Sequence, residues 1–158
     1  MGANLIKRLP VGLQRWWIKQ ISFWPPFLGA GIRVKEISPD FLKIRSILKL
    51  RWYNRNYVGT HFGGSIYSMT DPFYMLMLIQ NLGPGYIVWD LAAKIRFKLP
   101  GRGAIHADFE LTPQELEEIK SKATKNDKVI VRKKVQVKDQ QDQVIAIVYK
   151  ILFIRRKI

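Results

Sequence analysis

Residues 64–82 limit the fold of this chain more than any other stretch, because they are apolar around the whole circumference of a predicted helix. A helix with one apolar stripe needs cover on one side, whereas a helix that is apolar all round must be buried on every side. The stretch starts at Gly63-Gly64 and yet carries an ionisable residue, Asp71, followed by the helix breaker Pro72. We therefore expect this helix to form the centre of the core and also to carry the functional site.

Segments with period-two alternation of apolar and polar residues surround this helix, which is the pattern of half-buried β-strands. The alternation predicts strands near residues 31–37, 42–52, 91–99, 105–111, 129–137 and 144–154. A smaller surface helix is predicted for residues 112–123, where Thr112, Pro113 and Glu115 form a helix start. The simplest packing is α+β, with one antiparallel sheet curled around the long central helix. One sheet cannot cover that helix completely, so we expect a second copy to do so, in a homodimer or homotetramer.

The chain is strongly basic, with 27 Lys and Arg against 12 Asp and Glu and a net charge of +15. Such a field favours anionic partners: nucleic acid, anionic lipid or a phosphorylated small molecule. Cysteine is absent, which excludes disulfides, a thiolate nucleophile and a Cys-based zinc site. Two histidines without a matching acid cluster argue against a metal centre. We therefore expect no metal and no cofactor. The longest uncharged stretch is too short to span a bilayer, so we also expect a cytoplasmic protein.

Residues 1–26 form a segment of their own, which mixes apolar and aromatic residues with four cations and no acid. The pattern predicts a basic amphipathic helix that ends at Pro25-Pro26, ahead of a main domain at residues 27–158. One interpretation is an anchor that lies on an anionic membrane surface, at the inner membrane face. The other is a helix packed on its own domain or on a neighbouring subunit.

The block NRNYVGTHFGGSIYSMTD, residues 54–71, resembles the hotdog-fold acyl-CoA thioesterases. In the phenylacetyl-CoA thioesterase type, an Asn precedes a Gly-Gly pair at the start of the central helix, and an Asp follows one to two turns later. The residues at matching places are Asn56, Gly63, Gly64 and Asp71. Over nearly the whole chain the sequence is more similar to a bacterial hotdog family named as a domain of unknown function. The similar blocks are GAGI at 29–32, NRNYVGTHFGGS at 54–65, DPFYM at 71–75, YIVWD at 86–90 and IRF..PG at 95–101.

One departure concerns His61, which stands directly before the Gly pair in the phenylacetyl-CoA type but is followed here by Phe62. The order His-Phe-Gly-Gly is similar to the His-Phe-Pro-Gly of hotdog dehydratases. Those enzymes place a Glu fourteen residues after the His, where this chain has Met75. The dehydratase alternative is therefore weaker than the thioesterase one.

The resemblance implies that Asp71 activates water or attacks the thioester directly. Backbone N–H groups of Gly63 and Gly64 at the helix start would then polarise the carbonyl. We expect Asp71 to be buried, which would make it a better base near neutral pH. The alternatives are close helix packing at both glycines and a helix-capping role for Asp71 ahead of Pro72.

Asn56 and His61 are candidates for binding the thioester or positioning water, with hydrogen bonding inside a turn as the alternative. Lys98 and Arg102 are candidates for binding the phosphates of coenzyme A, with a solvated turn as the alternative. We therefore expect hydrolysis of acyl-CoA or acyl-carrier thioesters. The rivals are a non-catalytic acyl- or lipid-binding module and, ranked last, a nucleic-acid module using cations on the outer sheet face. Aromatic residues are not interleaved with those cations, as base stacking requires.

Overall fold

The computed structural model of the protein describes residues 10–125 and 128–157. The predicted surface helix forms there with its capping box, since Thr112 N–H donates to Glu115 Oε2 and Glu115 N–H donates to Thr112 Oγ1. The elements are α1 Val11–Lys19, a 3-10 helix Gln20–Phe23, α2 Pro25–Ala30, β1 Ile32–Ile37, β2 Lys43–Lys49, α3 Gly63–Ser68, α4 Phe73–Leu82, β3 Tyr86–Phe97, β4 Ala104–Glu110, α5 Pro113–Lys125, β5 Val129–Lys138 and β6 Val144–Arg156.

The strands of this described part form a single antiparallel sheet in the order β1-β2-β4-β5-β6-β3. Strand β6 pairs along most of its length with both β5 and β3. The contact between β4 and β5 is much shorter, limited to His106 with Lys138 and Ala107 with Val137. Strands β1 and β3 lie at the two edges. The predicted α+β architecture, a sheet around a central helix, is confirmed.

The central helix is broken into α3 and α4 by a turn over residues 69–72. Pro72 has no N–H to donate, and the chain instead closes a turn in which Asp71 N–H donates to the Ser68 carbonyl at 3.2 Å. One continuous helix over residues 64–82 was therefore a wrong expectation. Because of this break, Asp71 lies in a turn between the two helices and not inside a regular helix.

Helix α4 lies at the middle of the core. Phe73 is fully buried, and its ring packs at 6.1 Å from Phe27 and at 4.9 Å from Phe109, measured between centroids. These contacts join the N-terminal segment, the helix and the sheet in one core. Another side of α4 is only half-buried, and its residues are Met75, Leu76 and Ile79. A single chain therefore leaves part of this apolar helix without full cover.

The N-terminal segment is built from short helices rather than one long helix. Pro25 and Pro26 begin α2 instead of ending the segment, because proline fits the first turn of a helix. Ile18 and Phe27 lie in the main core, so the inner side of the segment packs on its own domain. Residues 1–9 of the predicted helix lie outside the described residues. In the described ranges no helix is both long enough and apolar enough to cross a bilayer.

Candidate functional site

A cleft of about 530 Å³ lies beside the start of α3 and the turn after β3. The structure gathers there five of the residues that the sequence singled out: Asn56, His61, Gly63, Lys98 and Arg102. The apolar part of the lining consists of Val58, Ile66, Phe97, Leu99 and Pro100. The cleft therefore combines an apolar wall, polar groups at one helix end and two cations.

His61 is a buried member of this cleft, with 3% of its surface exposed. Its Nε2 lies 3.0 Å from the Gly103 carbonyl, and because a carbonyl can only accept, Nε2 must carry the hydrogen. Nδ1 is then the nitrogen with the lone pair, and it has no hydrogen-bond partner within residues 10–125 and 128–157. Burial lowers the pKa of His61, with the Gly103 hydrogen bond opposing it, so the ring is neutral at pH 7.

The buried neutral state of His61 predicts a pH-dependent stability. The pKa of His61 is lowered on folding, so the unfolded chain binds the extra proton first and stability falls as the pH drops below about 6.5. We expect the free energy of unfolding to fall progressively below that pH, and to fall less steeply in His61→Gln. Melting temperature against pH measures this, with His106→Gln as the matched control. An unchanged slope in His61→Gln would contradict the assignment.

Asn56 holds the loop that carries His61. Its Nδ2 donates to Thr60 Oγ1 at 2.9 Å, and its Oδ1 accepts the N–H groups of Val58 and Thr60. Nδ2 also donates to the His61 carbonyl at 3.3 Å. The turn-bonding alternative therefore describes the contacts of Asn56, which positions the backbone next to His61.

The two glycines at the start of α3 do not share one site. Gly63 lines the cleft, where an added Cβ would lie 3.0 Å from the Phe97 ring. Gly64 lines a separate groove, and a Cβ there would collide with the Phe62 ring. Close packing thus explains both glycines. Among the described residues no side chain caps the start of helix α3, which leaves the first-turn N–H at Gly63 available to a ligand in the cleft.

Asp71 belongs to a second site, an ion cluster built around the buried Lys150 of β6. The Lys150 ammonium lies 2.9 Å from Asp71 Oδ1 and 3.2 Å from Asp90 Oδ2, and its side chain is fully buried. The expectation of a buried Asp71 is wrong, because 51% of that side chain is exposed. The capping alternative is also wrong, since Pro72 holds the N-cap position of α4 and no side-chain cap is made.

The cluster of Asp71, Asp90 and Lys150 has one more carboxylate than ammonium. Burial raises the pKa of Asp90 and Lys150 opposes this rise. Burial lowers the pKa of Lys150, but hydrogen bonds and charges from both aspartates outweigh it, so Lys150 stays protonated. Tyr67 lies against the cluster, with its ring centroid 5.7 Å from the Lys150 ammonium. Asp71 is the most exposed of the three charged groups, and therefore the one that a substrate or water can reach.

Sequence reasoning missed Lys150 and Asp90. Strand β6 reads as apolar on both faces, which hides a single lysine in the run. The burial pattern shows that Val148, Lys150, Leu152 and Ile154 all point inward. A cation at an inward position of a strand needs a buried counter-charge, and this was the signal available in the sequence.

The cleft and the ion cluster lie at opposite ends of α3 within one chain. Eight residues separate Gly63 from Asp71, or about 12 Å along a straight helix. Asp71 is not among the residues that line the cleft. One chain therefore does not bring the predicted base and the predicted carbonyl-binding end together.

Solved structures of other proteins resemble this fold. PA5026 from Pseudomonas aeruginosa, a protein of unknown function described as a probable thioesterase, has 17% identity and a TM-score of 0.81, covering 94% of this chain and 97% of its own. Thioesterase HI1161 from Haemophilus influenzae has 13% identity and a TM-score of 0.65, covering 88% of each. The PaaI protein of the E. coli phenylacetic acid degradation operon has 13% identity and a TM-score of 0.59, covering 89% and 92%. These matches establish the predicted hotdog fold. No curated protein matches the sequence at a significant level.

The sequence itself matches one family model, described as a domain of unknown function, DUF4442. The match runs over residues 12–153, from α1 into β6. It thus includes the cleft, the ion cluster and the broken central helix. Because this match spans most of the chain, the protein belongs to the DUF4442 family.

Proposed function

We propose that the protein hydrolyses acyl thioesters of coenzyme A or of an acyl carrier. The observation that carries this proposal is the cleft, where the buried His61 and the uncapped start of α3 stand beside Lys98 and Arg102. An apolar wall next to two cations suits a ligand with an acyl chain and a phosphorylated thiol. The fold shared with HI1161, which is called a thioesterase, supports the same reaction class.

The reaction adds water to the thioester carbonyl carbon and then breaks the C–S bond. The oxygen becomes negative on the way, and the Gly63 N–H would donate to it. The water must lose a proton, and the half-exposed Asp71 carboxylate would accept it. His61 Nδ1 is buried and has no hydrogen-bond partner among the described residues, so it would accept a hydrogen bond from a water that enters beside the ring. The proton held by Asp71 would then pass to the leaving sulfur, so the products are the free thiol and the carboxylic acid, and Asp71 is again a carboxylate.

The distance between Gly63 and Asp71 calls for a site shared by two subunits. Within residues 10–125 and 128–157, strand β3 pairs on one side only, with β6, and it exposes Trp89 and Leu91. Pairing of β3 with a second copy would also bring cover to the half-buried side of α4. We propose that Asp71 of one subunit then completes the cleft of the other.

The shared site predicts that the protein is a dimer or larger at micromolar concentration. The half-buried residues of α4 and the free β3 edge supply the apolar surface and hydrogen-bonding groups for such an assembly. Sedimentation velocity measures the state directly. A well-behaved monomer with full hydrolytic activity would refute the two-subunit arrangement.

The position of Lys98 and Arg102 in the cleft predicts that they bind the phosphorylated thiol part of the substrate and not its acyl chain. We expect Lys98→Ala/Arg102→Ala to raise KM for acyl-CoA about tenfold, because the variant loses cations beside the phosphates. An acyl thioester of N-acetylcysteamine, which has no phosphate, should be affected little. The matched control is Lys49→Ala/Arg51→Ala, which removes an exposed lysine and arginine outside the cleft lining. Equal loss on both substrates, or equal loss in the control, would count against phosphate binding in the cleft.

The alternative function is a module that binds acyl thioesters without hydrolysing them. The observation that favours it is that two candidate catalytic residues already bond to other protein groups. Asn56 donates to Thr60 within its own turn, and Asp71 accepts a hydrogen bond from Lys150. A nucleic-acid role gains less support, because Lys43 and Arg45 on the outer face are paired with Glu110 and Asp108. The dehydratase alternative has no acid at position 75 to support it.

A further inference from the structure

We propose that the outer side of the N-terminal segment is a docking surface for anionic membranes. Five large apolar side chains of this segment are each between 43% and 58% exposed. We call them the apolar ridge, which consists of Leu13, Trp16, Phe23, Trp24 and Leu28. This inference concerns where the protein works and does not depend on the proposed hydrolysis.

Buried contacts fix the segment that carries the ridge to its own domain. Ile18 and Phe27 are buried in the core, and the buried Ser22 accepts the Val34 N–H of β1 at 2.9 Å. The guanidinium of Arg15 donates to the Ile37 carbonyl at 2.6 Å. The segment is therefore fixed to its own domain through Ile18, Ser22 and Phe27, and it presents the apolar ridge outward.

The chemistry of the ridge fits a lipid interface. Tryptophan favours the boundary between headgroups and acyl chains, and phenylalanine and leucine supply the apolar face of helices that lie at that boundary. Trp16 and Trp24 are each about half exposed, so both rings can enter that boundary without unfolding the segment. A ridge on short helices lying in the surface plane is the geometry of an interfacial anchor.

The charge around the ridge selects the kind of lipid. Lys19 at the end of α1 is exposed, and the exposed Arg33 places its guanidinium 5.8 Å from the Phe23 ring centroid. No acid occurs in the sequence before Glu36, so nothing acidic in this stretch offsets these cations. Cations beside an apolar anchor bind membranes that carry negative headgroups. The complementary partner is therefore an anionic lipid surface.

A second copy of the chain is the competing occupant, and the sheet order argues against it. The ridge segment packs on β1, which is one edge of the sheet, whereas the free edge proposed for subunit pairing is β3, at the other end. Subunit pairing through β3 leaves the ridge open. The ridge and the subunit contact are thus separate surfaces.

Flotation of the full chain with lipid vesicles tests this proposal. We expect binding to vesicles of phosphatidylcholine mixed with phosphatidylglycerol, and much weaker binding to phosphatidylcholine alone or at high salt. Trp16→Ala/Trp24→Ala should lower the partition coefficient at least about tenfold. Lys19→Glu/Arg33→Glu should lower binding to the anionic vesicles selectively. The matched control is Trp52→Ala/Tyr57→Ala, which removes exposed aromatic groups outside the ridge and the cleft and should bind like wild type.

Three results would overturn the proposal. One is wild-type protein that fails to float with anionic vesicles, and another is a ridge variant that floats as well as wild type. The third is a ridge variant that is folded by circular dichroism but dissociates in sedimentation, which would assign the ridge to a subunit contact. Equal binding to both vesicle types would overturn the selection for anionic lipid.

Discussion

Replacing the buried lysine, Lys150→Met, is expected to destabilise the protein by about 3 kcal/mol. Methionine fills a similar volume but leaves Asp71 and Asp90 without the ammonium that both contact. Breaking a buried ion pair costs roughly 3–5 kcal/mol, and the lower end applies because Asp71 is half exposed. For a chain of this size the melting temperature should fall by about 6–12 °C.

The matched control for this variant is Lys43→Met. Lys43 also pairs with an acid across the sheet, at 3.0 Å from Glu110, but its side chain is 70% exposed. Exposed pairs contribute about 0–1 kcal/mol, so the control should melt close to wild type. Adding Asp90→Asn to Lys150→Met should recover part of the loss, since one unpaired carboxylate is removed. A loss in Lys150→Met no larger than that of Lys43→Met would contradict the cluster.

The second large effect is expected from Asp71→Asn, which should lower kcat for thioester hydrolysis by roughly 100-fold. Asparagine keeps the size of the side chain but cannot accept the proton of the attacking water. The variant also loses the ion pair with Lys150, so some stability should be lost as well. Rates are therefore compared well below the melting temperature of the variant.

Asp90→Asn separates the catalytic role of Asp71 from its role in the ion cluster. Both aspartates contact the same ammonium, but only 22% of the Asp90 side chain is exposed, against 51% for Asp71. We expect Asp90→Asn to lower the melting temperature while changing kcat much less than Asp71→Asn does. Equal losses of kcat in the two variants would mean that Asp71 acts through the cluster and not on the substrate.

Local patterns in the sequence were enough to predict most of the fold. Period-two alternation depends on neighbours along one strand, and a capping box such as that of Thr112 and Glu115 depends on four consecutive residues. The resemblance of residues 54–71 then supplied the hotdog topology and three of the five predicted cleft residues, Asn56, His61 and Gly63. These residues lie together beside α3 because the loop that Asn56 stabilises and the turn after β3 both end there.

The features that the sequence did not predict depend on distant partners. Asp71 and Lys150 are 79 residues apart, and no local pattern shows that a lysine inside an apolar strand meets that carboxylate. The break before α4 depends on whether the turn at Pro72 can satisfy the Ser68 carbonyl, which it does through the Asp71 N–H. Pro25 has two local meanings, the end of one helix or the first turn of another, and packing of Phe27 into the core decided between them.

The most direct test of the account is thiol release by the wild-type protein across a series of acyl-CoA chain lengths. We expect hydrolysis of at least one acyl-CoA, with a preferred chain length set by the apolar wall of the cleft. Acyl-CoA binding should be measured on the same samples. Saturable binding with no thiol release over the whole series would contradict the hydrolase assignment and establish the acyl-binding module in its place.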